Sequence, residues 1–303
     1  MKKTYAPVVV FAFKRPNHLK QTLSALNMST LAKNTDVFIF CDFWKKRDDE
    51  EKVLSVWSVI EEFERNNNFR KVYVEKSTKN MGLAKSVIQG VSKVINTYGK
   101  VITLEDDLIT SPDFLTYMNN ALDYYQSDNQ IWSITGYTFW MKAFNEYQFD
   151  VYFSGRCCSW GWATWKDRWE LTDWDMNDYL VFLRNRKAIK AFSMWGDDMP
   201  LLLKLQNEGK IDSWAIRWCY SAFKNNAYSV YPTKSYVSNC GFDGTGTHSS
   251  KPTKGFESYY FNTHDDVTFI KPFEDKKIRK QFNLKYSRKL LSRIIRKLSE
   301  VLH

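Results

Sequence analysis

The sequence predicts an α/β fold with a mostly parallel sheet flanked by helices, and three observations lead there. Short apolar runs recur at Val8–Phe13, Val37–Cys41, Val72–Val74 and Val101–Leu104. The first run is continuously apolar and the others nearly so, as expected of strands covered on both faces. Between them lie stretches with helical apolar spacing, and strands alternating with helices imply parallel pairing.

The elements follow in order. Val8–Phe13 opens the sheet and is closed by Lys14-Arg15-Pro16, after which Leu19, Leu23 and Leu26 mark one helical face. The second strand leads into a helix through Val53, Val56, Val59, Ile60 and Phe63; the third leads into one through Leu83, Val87, Val91, Val94 and Ile95. After the fourth strand, Ser111 reads as an N-cap, Pro112 as the first turn and Asp113 as an acid at the positive end of the dipole. Trp162, Trp165 and Trp169 fall at i, i+3 and i+7, which predicts one face of a helix. Helical patterns continue near 178–191, 200–208 and 213–225, and a Gly-rich loop spans 239–250.

The net charge of +10 suggests nucleic acid until it is located. From Lys271 to His303 there are eleven Lys or Arg against three acids, a net of +8, leaving +2 for the other 270 residues. A nearly neutral body without a basic aromatic groove weighs against nucleic-acid binding. The tail also carries Leu290, Leu291, Ile294, Ile295, Leu298, Val301 and Leu302 at helical spacing. A basic amphipathic helix reads as an anchor on an anionic membrane surface, or as a helix packed on its own domain. The apolar run near the N-terminus is too short for a signal peptide and meets Lys14-Arg15 directly. Five cysteines without paired metal spacing favour a reduced, cytoplasmic setting, with Cys157-Cys158 as core fillers. With 12 Trp, 17 Tyr and 21 Phe, aromatic rings are abundant enough to serve both the core and a sugar face.

Ligands of open α/β sheets bind beyond the carboxyl ends of the strands. Asp42 follows the second strand directly, and Glu105-Asp106-Asp107 follows the fourth. Three consecutive acids at a buried strand end repel one another, and a hard divalent cation, Mn²⁺ or Mg²⁺, relieves that repulsion. The plainer alternative is a solvated acidic turn capping the next helix.

Leu104-Glu105-Asp106-Asp107-Leu108 followed by Ser111-Pro112-Asp113-Phe114 resembles the metal motif of GT-A-fold glycosyltransferases. The likeness is greatest to N-acetylglucosaminyltransferase I and to bacterial family-2-like enzymes of surface-polysaccharide synthesis. Four more segments fit in order: Pro7–Phe13 with Arg15-Pro16, Asn80–Ser86, Ser159–Trp165, and Asn239–Phe242 leading to Gly246-Thr247-His248. The resemblance covers roughly residues 7–250 and implies a GT-A-type, Rossmann-like mixed sheet. It divides the chain into a nucleotide-sugar-binding half (1–126), an acceptor-side half (127–270) and a basic tail (271–303).

The resemblance also assigns roles. Asp107 contacts the metal, Asp106 the ribose or a metal-bound water, and Glu105 supports the donor sugar. Asp42 meets the base or ribose. Arg15 belongs to the donor site, and Lys85 faces either the diphosphate or solvent. His248 ligates the metal or touches the phosphates, in a loop whose Gly241, Gly244 and Gly246 allow closure over the donor. Trp160 or Trp162 touches a sugar. An inverting reaction needs a general base. Where the family pattern places an acid after a helix-opening Trp, this chain has Ala215, which leaves Asp198, Asp197 and Asp212 as candidates, Asp198 first. Asp212-Ser213 also reads as an N-cap. The implied function is transfer of a sugar from a nucleotide donor, UDP-linked, to a saccharide or lipid-linked glycan at the inner face of the plasma membrane. Two other readings stay open: a catalytically silent carbohydrate-binding protein on the same fold, and a sugar-nucleotide nucleotidyltransferase. The latter lacks its expected glycine-rich loop after the first strand.

Overall fold

A computed structural model describes residues 4–242 and 266–287. The first half is the alternation that the apolar runs predict. It comprises β1 (Val8–Ala12), α1 (Pro16–Asn27), β2 (Asp36–Cys41), α2 (Glu50–Arg65), β3 (Lys71–Lys76), α3 (Leu83–Tyr98) and β4 (Lys100–Glu105). Pro16 sits in the first turn of α1, where its missing N–H has no partner to lose. Gly99 closes α3 in the left-handed region at φ 75°, as a C-terminal glycine allows.

The strand order is β3-β2-β1-β4, all parallel, with β1 at the centre of this half. All five side chains of β1 are buried, as its uninterrupted apolarity requires. The carboxyl ends of β2 and β4 therefore flank that of β1, and Asp42 and Glu105–Asp107 are carried to one edge.

After β4 come β5 (Leu108–Thr110), α4 (Phe114–Tyr124), β6 (Ile131–Thr135), β7 (Val151–Ser154), β8 (Trp162–Trp165) and α5 (Lys166–Glu170). Then follow α6 (Tyr179–Arg184), α7 (Arg186–Phe192), α8 (Met199–Asn207), α9 (Trp214–Lys224), β9 (Tyr228–Pro232), β10 (Val237–Asn239) and α10 (Lys276–Lys285). The sheet continues β4-β8-β6-β9-β7, with β8 antiparallel to both β4 and β6. The second half thus shares one sheet with the first, across residue 126. A separate antiparallel pair, β5 with β10, lies beside the acidic turn.

Three expectations change. Trp162 and Trp165 lie on β8, not on a helix. Residues three apart on a strand face opposite sides. Trp162 packs among Trp169, Trp214 and Trp218, whereas Trp165 donates its indole N–H to the Leu122 carbonyl, 3.2 Å away. Ser111 does not cap α4, because pairing of β5 with β10 runs on through Ser111 N–H to the Tyr236 carbonyl at 2.9 Å. The helix starts at Phe114 with Asp113 in the cap position. Finally, the first part of the basic tail packs on the body: α10 buries Ile278 and Phe282, and Phe282 meets Phe139, Trp195 and Tyr231. The apolar repeat that begins at Leu290 lies outside the described residues, as does His248. No described helix is long and apolar enough to cross a membrane.

Candidate active site

The acidic turn is built by its neighbours. Thr22, fully buried on α1, donates its hydroxyl to the Asp106 carbonyl at 2.9 Å and accepts from Leu108 N–H at 3.1 Å. One side chain thereby fixes both ends of the turn; nothing in the sequence around Thr22 announces this. The Asp106 carboxylate accepts from Phe13 N–H at 3.3 Å, joining the end of β1 to the turn.

Arg15 is the cation of the site. Its guanidinium pairs with Asp106 and with Asp107, the latter at 2.9 Å. Burial works against its charge, but the two carboxylates outweigh burial and raise its pKa. One guanidinium cannot balance three acids. Burial, then the Asp107 and Asp106 charges, push the Glu105 carboxyl up to about 8. Burial likewise raises Asp106. The folded chain therefore holds the Glu105 proton more tightly than the unfolded chain, whose carboxyl titrates near 4.5. In metal-free buffer this contribution is fully present below about pH 4.5 and is lost as pH rises through about 8. The unfolding free energy should fall by up to about 5 kcal/mol across that window. Urea midpoints recorded at successive pH values check this, and Glu105→Gln should flatten the slope.

Asp107 is the most exacting member. Its Oδ2 accepts from Arg15, while its Oδ1 is buried with no hydrogen-bond partner among the described residues. A carboxylate oxygen with no donor inside a protein is costly and suits a cation. Among the described residues, no three His, Cys, Asp or Glu side chains are grouped to hold a metal by themselves. The Asp107 carbonyl accepts from Cys240 N–H at 2.9 Å, so the residues after β10 close directly onto the turn. There Gly241 approaches so closely that an added Cβ would lie 2.1 Å from Asp107 Oδ2 and 3.0 Å from Arg15 Nη1. Gly241→Ala should therefore displace Asp107 and Arg15 and weaken nucleotide binding about tenfold or more, at a stability cost of roughly 1–3 kcal/mol. Calorimetric titration beside a melting curve separates the two effects.

The other residues expected at the site divide. Asp42 is 9% exposed, and its two oxygens accept from Phe43 N–H, Met81 N–H, Gly82 N–H and the Asn80 side-chain amide, at 2.9–3.1 Å. These four donors fill its lone pairs. Asp42 thus shapes the Asn80–Gly82 segment instead of presenting a free carboxylate to a base or ribose. Lys85 stands exposed in the first turn of α3. Trp160 is half-buried, edge-on to Tyr137 and to Phe242, whose ring centroid is 5.3 Å away. It thus joins the segment before β8 to the residues after β10. Trp162, 1% exposed within the tryptophan cluster, has no face left for a sugar.

Of the three carboxylates considered for the base, Asp198 is 3% exposed and bound by both oxygens to Arg156, at 2.7 and 3.0 Å. Arg156, which the sequence did not single out, lies over the Tyr286 ring at 4.0 Å. Cys158, two residues on, is half-buried, with a thiol raised to about 12, chiefly by desolvation. Asp197 is half-buried. Asp212 is exposed and paired with Arg217 at 3.1 Å, and it lies 3.8 Å from where a Cβ on Gly82 would be. The cap expected at this point is Ser213, which accepts from Ile216 N–H.

Comparison with known proteins adds the lineage. No curated protein matches the sequence. Among solved structures, TarS of S. aureus aligns over 77% of this chain and 36% of its own, at 9% identity and a TM-score of 0.41. The chain thus spans about a third of TarS. A putative glucose-1-phosphate thymidylyltransferase from Bacillus anthracis, in complex with a sucrose, aligns over 43% of this chain and 53% of its own, at 13% identity and a TM-score of 0.27. Both superpose too loosely to bear on mechanism. The sequence profile of the GNT-I family matches residues 1–174, which hold the whole parallel half, the acidic turn and β8. With more than half of its length so matched, the chain belongs to the GNT-I family of glycosyltransferases.

Proposed function

We propose that the protein transfers a sugar from a nucleotide donor, UDP-linked, to a saccharide or lipid-linked glycan, with Mn²⁺ or Mg²⁺ held by Asp107 and Asp106. The observation that carries this reading is the buried, unpartnered Oδ1 of Asp107 at the end of β4. When bound, the cation would neutralise the diphosphate as it leaves. Arg15, already against both aspartates, is placed to take up phosphate charge once the carboxylates turn to the metal. Glu105, half-buried and proton-rich, can donate a hydrogen bond to a sugar hydroxyl. Trp160 offers an apolar ring edge beside the entrance. For the base, Asp198 keeps first place as a buried carboxylate held by both oxygens on Arg156. An acceptor hydroxyl must displace one Arg156 N–H to reach it. The anchor on an anionic membrane through the basic tail belongs to the same reading.

Thermal unfolding with UDP, GDP, CDP and TDP, each with and without Mn²⁺, tests the donor site. A nucleotide at roughly 100 times its Kd should add about 2.7 kcal/mol of stability. One nucleotide stabilising only with metal supports the proposal. No shift in any combination would favour the catalytically silent glycan binder.

A further inference from the structure

Most apolar side chains exposed on this protein are scattered, as on any soluble surface. The helix α6 differs. It buries Tyr179 and Phe182, the latter against Phe192, Tyr220 and Phe223, and leaves Leu180 67%, Val181 72% and Leu183 45% exposed. Three large apolar residues thus stand in water on a helix of six. The residues that follow are basic: Arg184, Arg186, Lys187 and Lys190 are all exposed, and none makes an ion pair among the described residues. No acid occurs between Tyr179 and Gly196. Some exposed cations elsewhere do find acids, as in Lys93 with Glu75 or Lys20 with Glu62. Here an apolar ridge has a purely cationic flank.

We propose that α6 and the first turns of α7 form a contact surface for anionic lipid, with Leu180, Val181 and Leu183 entering the headgroup layer and Arg184, Arg186, Lys187 and Lys190 pairing with phosphates. Apolar burial together with unpaired cations is the chemistry that such a surface recognises. A second copy of the chain would bring like charge against like. The basic tail meets the same objection: residues 288–303 carry five Lys or Arg and one acid, so they repel this flank. The described helix α10 lies close to the patch: Asn283 donates to the Ser193 carbonyl at 2.8 Å, and Arg279 contacts Met194, both directly after α7. The patch is a second attachment point, resting on observations separate from the tail. It would set the acceptor-side helices α7 and α8 against the membrane.

Sedimentation of the full-length protein with phosphatidylglycerol-containing vesicles, compared with pure phosphatidylcholine vesicles, tests this. Three variants are used: Leu180→Ser/Val181→Ser/Leu183→Ser, Arg184→Gln/Arg186→Gln/Lys187→Gln, and Arg293→Gln/Arg296→Gln/Lys297→Gln in the tail. The proposal expects preferential binding to the anionic vesicles. Each patch variant should lower the partition constant at least tenfold, since each basic residue near an anionic surface is worth about fivefold. All substituted patch residues are exposed, so unchanged melting curves should accompany the loss. Patch variants that partition like the parent overturn the proposal, even if the tail variant loses binding and so upholds the tail alone. It is equally overturned if light scattering shows a parent dimer that the apolar variant converts to monomer, or if the parent shows no preference for anionic vesicles.

Discussion

Asp107→Asn is expected to reduce kcat about 10³-fold and to abolish any metal-dependent nucleotide stabilisation, with little loss of fold. The substitution keeps shape and size but removes charge from the one carboxylate oxygen of the acidic turn that is buried without a donor. Loss of a single preorganised electrostatic contact at a developing charge costs about 10²–10³ in kcat. In the proposed site that contact would be to the metal, whose own stabilisation is several kcal/mol. In the ligand-free protein the same change removes an acid that repels Glu105 and Asp106, so the apo melting point should hold or rise. This opposite response of stability and turnover separates a metal site from a structural ion pair. Steady-state kinetics across a Mn²⁺ titration, beside apo melting curves, would show it. If the Asp107→Asn enzyme kept its turnover at saturating metal, Asp107 would not hold the ion.

The parallel half of the fold was legible because its signal is local. Each strand from β1 to β4 is built around a short apolar run, and the acids that follow β2 and β4 must emerge at the carboxyl edge whatever else the chain does. The place of the acidic turn in the fold was legible, and the contacts of the residues around it were less so. Asp42 looked like a ligand group because a carboxylate at a strand end is available in principle, yet four donors from residues 43 and 80–82 consume it. Only the fold brings β2 and the Asn80 segment together. The tryptophan spacing of 162, 165 and 169 suits a helix and equally a strand running into one, and the period alone cannot choose. The choice was made by β4 and β6, which offer β8 two ladders at once. Thr22 and Arg156 carried no sequence signal because their partners lie 84 and 42 residues away.

The Arg156–Asp198 pair supplies the second large effect. Both groups are nearly buried, with side chains 15% and 4% exposed, and Tyr286 covers the guanidinium. Gly196, at φ 146°, lets the chain turn tightly around them; a Cβ there would lie 2.5 Å from both Arg156 Nη1 and Asp198 Oδ1. Removing one partner leaves a buried, uncompensated charge, so Asp198→Ala or Arg156→Met alone should cost about 3–5 kcal/mol. Replacing both with apolar groups, Arg156→Met/Asp198→Leu, removes both desolvation costs and should recover most of that loss. Denaturant unfolding of the three variants gives the coupling, and strictly additive losses would contradict it. The stable double variant then answers a question that the single ones cannot. If Asp198 takes the acceptor proton, the double variant folds but loses kcat by about 10²–10⁴-fold, the usual contribution of a general base. If Asp198 only holds Arg156 in place, turnover returns with the fold, and the base must be sought at Asp197 or Asp212.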